Sequence, residues 1–146
     1  MTKLKRQTVV NKDPETCFDF IADPEKAPLF VSSLHSITPV STEPRGKGNR
    51  WTWEYDLFGV PIRGDSECVV FNRPNQYSWK STTTIPSTWT YTLTPTNEGT
   101  EITMEIEYEV PDSVLTGKVA DKLVVEKLNQ NEADNAIKNL KTILEM

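Results

Sequence analysis

The sequence predicts a single α+β domain, in which an antiparallel sheet with one buried face is covered by a long C-terminal helix. Three observations predict it. Between about residues 33 and 110 apolar and polar residues alternate with period two, interrupted by turn residues. Asp112 to Met146 is the longest stretch without Pro and is amphipathic with helical spacing. Near the N-terminus, Asp13-Pro14-Glu15 and Asp23-Pro24-Glu25 repeat one helix-start signature ten residues apart.

In chain order, residues 3–11 read as a first strand, followed by two short helices, the second stopped near Pro28. Phe18, Ile21 and Ala22 give the first helix an inward face. Six strands follow, at 34–42, 49–57, 60–72, 76–84, 87–95 and 100–110. They are separated by Pro44-Arg45-Gly46, Phe58-Gly59, Arg73-Pro74-Asn75, Pro86 and Asn97-Glu98-Gly99. Trp51, Trp53 and Tyr55 alternate with Arg50, Thr52 and Glu54; Trp89, Tyr91 and Leu93 alternate with Thr88, Thr90 and Thr92. In the last strand Ile102, Met104, Ile106, Tyr108 and Val110 share a face opposite Thr103, Glu105, Glu107 and Glu109. One face is therefore aromatic and apolar, the other Thr- and Glu-rich and wet, as in a meander with a single buried face. The order is β–α–α–β(six)–α over residues 1–146, long enough to bury a real core.

The C-terminal helix is expected from Asp112 or Ser113 to Met146, with Leu115, Val119, Leu123, Glu126, Gln130, Ala133, Ile137, Leu140 and Leu144 on one stripe. Glu126 and Gln130 interrupt that stripe with polar groups. Either the helix leaves the core there, or it looks into a space that is not fully packed.

Composition narrows the function classes. The net charge of −5 opposes nucleic acid or an anionic membrane as the main partner. No apolar run of about 18 residues predicts a membrane span, and no apolar segment follows the basic MTKLKR start as in a signal peptide, so a cytoplasmic location is expected. Cys17 and Cys68 have no metal or redox spacing and are read as buried free thiols. The single histidine, His35, argues against a His-based metal site or a catalytic triad and reads as a surface residue or a hydrogen-bonded structural one. No phosphate loop, metal cluster or nucleophile motif is present, so no cofactor is expected.

The order of elements and several motifs resemble the START-like (SRPBCC) superfamily, and within it the polyketide cyclase/dehydrase type. The motifs are Asp13-Pro14-Glu15 with Cys17-Phe18-Asp19-Phe20-Ile21-Ala22-Asp23-Pro24-Glu25, Gly46-Lys47-Gly48 before Arg50-Trp51, Trp89-Thr90-Tyr91-Thr92-Leu93-Thr94-Pro95, and Gly99-Thr100. The resemblance implies a helix-grip fold, a curved antiparallel sheet wrapping a long C-terminal helix around a deep cavity. It also implies a choice of function among polyketide cyclases, lipid and sterol carriers and hormone-binding proteins.

The aromatic residues Trp51, Trp53, Tyr55, Trp89 and Tyr91, joined by Tyr77, Trp79 and Tyr108, read either as packed core or as the wall of a pocket for a flat or oily ligand. The resemblance favours the pocket, with Met104, Ile106 and Leu123 among its apolar lining and Glu126 and Gln130 at its ceiling. Arg50, Glu54, Arg63, Asp65 and Glu67 are expected as solvated cross-strand charges, with Ser66 on the inner register beside Gly64. The apolar turn Phe58-Gly59-Val60-Pro61-Ile62 is a lid, a partner or membrane contact, or a turn packed on the helix. The expectation is a protein that binds a small hydrophobic or aromatic molecule, as a monomer or homodimer. Its rivals are a cyclase or dehydratase using Glu126, Tyr55 or Tyr91 for proton movement, and a protein-interaction module.

Overall fold

Seven strands form one antiparallel sheet: β1 (Thr2–Val10), β2 (Leu34–Pro39), β3 (Arg50–Leu57), β4 (Val60–Asn72), β5 (Gln76–Ser81), β6 (Ser87–Thr96) and β7 (Gly99–Tyr108). The computed structural model describes residues 2–41, 45–57, 59–115 and 121–146. Pro44, Phe58 and Val119, on which parts of the sequence reading rested, lie outside them. From β2 to β7 each strand pairs with the next, and β1 pairs with β7, so β1 and β2 are the two edges of the sheet. The chain must cross from one edge to the other between them. Helix α1 (Pro14–Ile21) and a 3-10 helix (Pro24–Leu29) make that crossing.

The local causes of these two helices are the ones expected. The Asp13 carboxylate accepts the Thr16 N–H at 3.0 Å and the Thr16 hydroxyl at 2.7 Å, while Asp23 accepts the Glu25 N–H at 3.2 Å. Pro14 and Pro24 follow their caps at the first helical position. Pro28 sits inside the second helix, where its missing N–H removes a helical bond and keeps the segment to a tight, short 3-10 turn.

Strand register fixes which side chains meet on the inner face. Trp53 lies opposite Gly64 and Trp51 opposite Ser66; Trp79 faces Trp89, which faces Ile106, which faces Leu4. Irregularities between Leu34 and Ser36 and between Cys68 and Val70 break the ladder locally and increase twist, which curves the sheet. Gly99 opens β7 at φ +137°, and a Cβ there would meet the Val10 carbonyl oxygen at 2.0 Å, so only glycine fits between β1 and the β6–β7 turn. On the outer face Arg63 pairs with Glu54 at 3.2 Å and the Thr52 hydroxyl donates to Asp65 at 3.0 Å, the solvated cross-strand charges expected there.

The end of the sheet under α1 is solidly packed. Cys17 and Phe18 are fully buried with Val10, Ile102, Met104 and Leu140, and Phe18 meets Phe71 and Tyr77 edge-on at 5.1 and 6.3 Å. Both cysteines are free and buried.

The long helix corrects the sequence reading in two ways. Helix α2 runs Lys122–Leu144, 23 residues and about 35 Å, instead of beginning at Asp112. Asp112–Val114 makes only a 3-10 turn without a side-chain cap, whereas the Asp121 carboxylate accepts the Leu123 N–H at 3.0 Å and starts the helix. The buried stripe is also rotated in its first half: Val125, Glu132, Ala133, Ala136 and Leu140 turn inward, while Leu123 is 76% exposed and Gln130 faces solvent. Ala133, Ile137, Leu140 and Leu144 are buried as expected. Among the described residues no helix is long and apolar enough to cross a membrane.

Arg73, in the β4–β5 turn, grips Asp19 of α1 with Nε to Oδ1 at 2.8 Å and a terminal nitrogen to Oδ2 at 3.0 Å. These bonds hold the Asp19 carboxyl below its ordinary value of 3.8. A depressed carboxylate stabilises the fold above its unfolded pKa and loses that contribution as pH falls through its folded one. Arg73→Gln is therefore expected to lower the urea midpoint at neutral pH, with the gap to the native protein closing below about pH 4. A gap unchanged by acid would show that Arg73 acts through something other than Asp19.

Candidate functional site

Polar bonds tie α2 to two places, and neither lies over the centre of the sheet. On one side it follows β1 closely: Arg6 pairs with Asp134, the Lys141 ammonium donates to the Val9 carbonyl, the Thr2 hydroxyl donates to Glu126 at 3.3 Å, and the Asn11 N–H donates to Glu145 at 3.1 Å. On the other side Oε1 of Glu132 accepts the Ser33 N–H at 2.8 Å and the Ser32 hydroxyl at 3.0 Å, and the Asn139 amide donates to the Phe30 carbonyl at 3.3 Å. Ser32 and Ser33 join the 3-10 helix to β2, so α2 bridges from one edge of the sheet towards the other.

Beneath this bridge lies a cavity of about 120 Å³. Strands β3, β5 and β6 wall it with Trp51, Trp53, Tyr55, Tyr77, Trp79, Trp89 and Tyr91; β7 adds Ile106 and Tyr108; α2 adds Asn129, Glu132 and Ala133. The 3-10 helix and the residues after it close one end with Pro24, Ala27, Phe30 and Val31. Trp79 and Trp89 stack at 5.3 Å, and Trp51 meets Trp79 edge-on at 6.2 Å. Gly64 lets the Trp53 indole lie flat across its partner strand, since a Cβ there would come within 2.2 Å of Trp53 Cζ2.

Polar groups on this wall are few and unevenly satisfied. Among the described residues Trp53 Nε1 and Tyr108 Oη are buried without a hydrogen-bond partner. The Ser87 hydroxyl donates to the Ile85 carbonyl at 3.2 Å. Burial pushes the phenols of Tyr55, Tyr77, Tyr91 and Tyr108 up from their ordinary value near 10, and for Tyr55 the neighbouring Glu132 charge adds to the effect.

The aromatic candidates Trp51, Trp53, Tyr55, Trp89 and Tyr91, with Ile106 and Tyr108, are brought together as the sequence suggested. Four others are not. Met104 is fully buried in the packed half, Leu123 and Gln130 face solvent, and Glu126 lines a separate small recess with Thr2, Tyr108, Glu109, Val110 and Lys122. The rotation of α2 puts Asn129, Glu132 and Ala133 where Glu126 and Gln130 were expected. The signal for it was the inward set Val125, Ala133, Ala136 and Leu140, with Glu132 seven residues after Val125 on the same side. Ser66, expected on the inner register, is buried, its hydroxyl without a partner among the described residues, and it does not line the cavity. His35 is exposed and lies 3.6 Å from Asp56. Val60 and Pro61 at the β3–β4 tip are exposed and form no part of the cavity wall. Among the described residues no cluster of His, Cys, Asp and Glu could hold a metal ion.

Residues 1–145 match the family described as polyketide cyclase / dehydrase and lipid transport. The chain belongs to this family. No curated protein matches it. Among solved structures it is similar to TTHA0849 from Thermus thermophilus, with 19% identity, 98% and 97% of the two chains covered and a TM-score of 0.79. A START superfamily protein from Mycobacterium smegmatis is similar at 13% identity, with 98% and 97% coverage and a TM-score of 0.77. One half of the di-domain ARO/CYC StfQ of the steffimycin biosynthetic pathway matches at 13% identity, covering 98% of this chain and 50% of StfQ, with a TM-score of 0.74. At these identities the likeness is one of fold, and it is the helix-grip fold that the resemblance implied.

All four tyrosines carry raised phenol pKa values, and a raised phenol stabilises the fold below its unfolded value near 10 and loses that contribution above it. In an alkaline titration phenolate absorbance is expected to stay flat through pH 10 and then rise together with loss of the circular dichroism of the sheet. A tyrosine ionising near pH 10 in the folded protein would place its hydroxyl in water.

Proposed function

We propose that the protein binds a small hydrophobic or aromatic molecule in the cavity between the sheet and α2. The observation that supports this most is the wall itself: all four tryptophans of the chain surround one apolar space, and two buried donors on it lack partners among the described residues. A core built only for stability is close-packed, with few voids larger than a water molecule. A cavity of about 120 Å³ is of the order that holds a benzene-sized molecule, for which about 150 Å³ suffices. Trp79, Trp89 and Tyr55 remain only partly buried, as groups facing such a space would be. Apolar walls with a few placed polar groups are the usual make-up of a small-molecule site.

A second reading is a cyclase or dehydratase, the activity in the family's description. In favour of it, the Glu132 carboxylate and the Tyr55 phenol line the same cavity. In that reading Glu132 takes a proton from a substrate carbon or oxygen and Tyr55 holds the oxygen that gains charge. Tyr55, with its pKa raised, would act as a hydrogen-bond donor and remain protonated.

Toluene is expected to produce a saturable change in tryptophan fluorescence. Ala133, buried against the cavity, offers the control: Ala133→Leu should fill part of the space and weaken toluene binding at least tenfold while circular dichroism stays native. Absence of a saturable response in the native protein, or equal binding by Ala133→Leu, counts against the proposal.

A further inference from the structure

Only one charged side chain lines the cavity among the described residues, and it is a carboxylate. Glu132 is 8% exposed, and among the described residues no Lys, Arg or His nitrogen lies within 4.0 Å of it. Its Oε1 is occupied by Ser32 and Ser33, while Oε2 makes no hydrogen bond among the described residues. Oε2 keeps some contact with solvent, and a mostly buried carboxylate without a counter-ion among the described residues is best completed by a cation or a metal. The groups around it offer neither. The stacked Trp79 and Trp89, with Trp51, Trp53 and Tyr55, present aromatic rings, whose faces carry negative potential and attract organic cations.

We infer that the cavity selects a small organic cation, an arylalkylammonium, whose nitrogen donates to Glu132 Oε2 and whose apolar part lies among the tryptophans. The inference rests on the ligand-binding reading above and adds the sign of the ligand's charge. It runs against carboxylate ligands such as fatty acids, which would set a second negative charge beside Glu132 with no basic residue on the described wall to offset it. The unpaired Trp53 Nε1 and Tyr108 Oη are neutral donors, suited to an uncharged oxygen elsewhere on the same molecule.

The test is isothermal titration at neutral pH with three ligands of one size: benzylamine, benzyl alcohol and benzoate. The native protein is expected to bind benzylamine at least tenfold more tightly than benzyl alcohol, with benzoate weakest. Glu132→Gln keeps an oxygen to accept from Ser32 and Ser33 and should bind amine and alcohol within about twofold of each other. Ala133→Leu should abolish amine binding, which places the ligand in the cavity and not on the acidic surface. Equal affinity for amine and alcohol in the native protein, or an amine preference kept by Glu132→Gln or by Ala133→Leu, overturns the inference. In those cases the cavity reading stands where the native protein binds the alcohol and Ala133→Leu weakens that binding, and falls where Ala133→Leu leaves it unchanged. Failure of all three ligands to bind overturns both. If Glu132→Gln does not fold, the native ranking and Ala133→Leu decide the matter.

Discussion

The way α2 is held sets most of what is unusual about this molecule. A helix laid on the middle of an aromatic sheet face would press the tryptophans flat and exclude any space. Here α2 follows the edge strand β1, bonded through Arg6, Val9, Thr2 and Asn11, and its other side is held by Glu132 at Ser32 and Ser33 and by Asn139 at Phe30. Beyond the end covered by α1, the middle strands are left without a helix pressed against them. The span between the two attachments is the roof of the cavity.

The floor owes its shape to size alternation on the inner face. One cross-strand row runs Trp51, Ser66, Ser81, Ser87 and Tyr108, and of its three small residues Ser87 lines the cavity while Ser66 and Ser81 are buried outside its lining. Beside it, Gly64 gives the Trp53 indole a place to lie. At the α1 end the same sheet carries Leu93, Ile102 and Met104, buried with Phe18, and no space remains, while Tyr77 and Tyr91 mark the border with the cavity. Packing of one end gives rigidity to the frame, and small residues at the other end leave room. Glu132 serves both: it satisfies two donors of the loop that closes the cavity and is itself one of the groups that line it.

Much of this was legible in the sequence because strand alternation is local. The six strands β2 to β7 and their junctions follow from period-two patterns, and β1 with its two capped helices follows from Asp13-Pro14-Glu15 and Asp23-Pro24-Glu25. Trp51, Trp53, Tyr55, Trp89 and Tyr91 share a face for the same reason. The face of α2 was harder to read. Its inward side holds Glu132 and Asn129 as well as small alanines, so the apolar signal is weak, and a stripe through Glu126 and Gln130 fits the helical period almost as well. The choice between them is made by tertiary partners, Ser32 and Ser33 for Glu132 and Thr2 for Glu126, far away in the chain. The start of α2 was misplaced because Asp112, Ser113 and Asp121 are all competent caps, and among the described residues only Asp121 accepts a first-turn N–H.

The central claim is that the space between α2 and the middle strands accepts an organic molecule. A crystal structure of the protein soaked with bromobenzene tests it most directly, because the anomalous signal of bromine locates the ligand without ambiguity. The expected result is a single strong bromine peak enclosed by Trp79, Trp89, Trp53 and Ala133, with the α2 backbone unmoved. Bromine found only on the outer surface, or a cavity closed by inward rotation of the tryptophans, would contradict it.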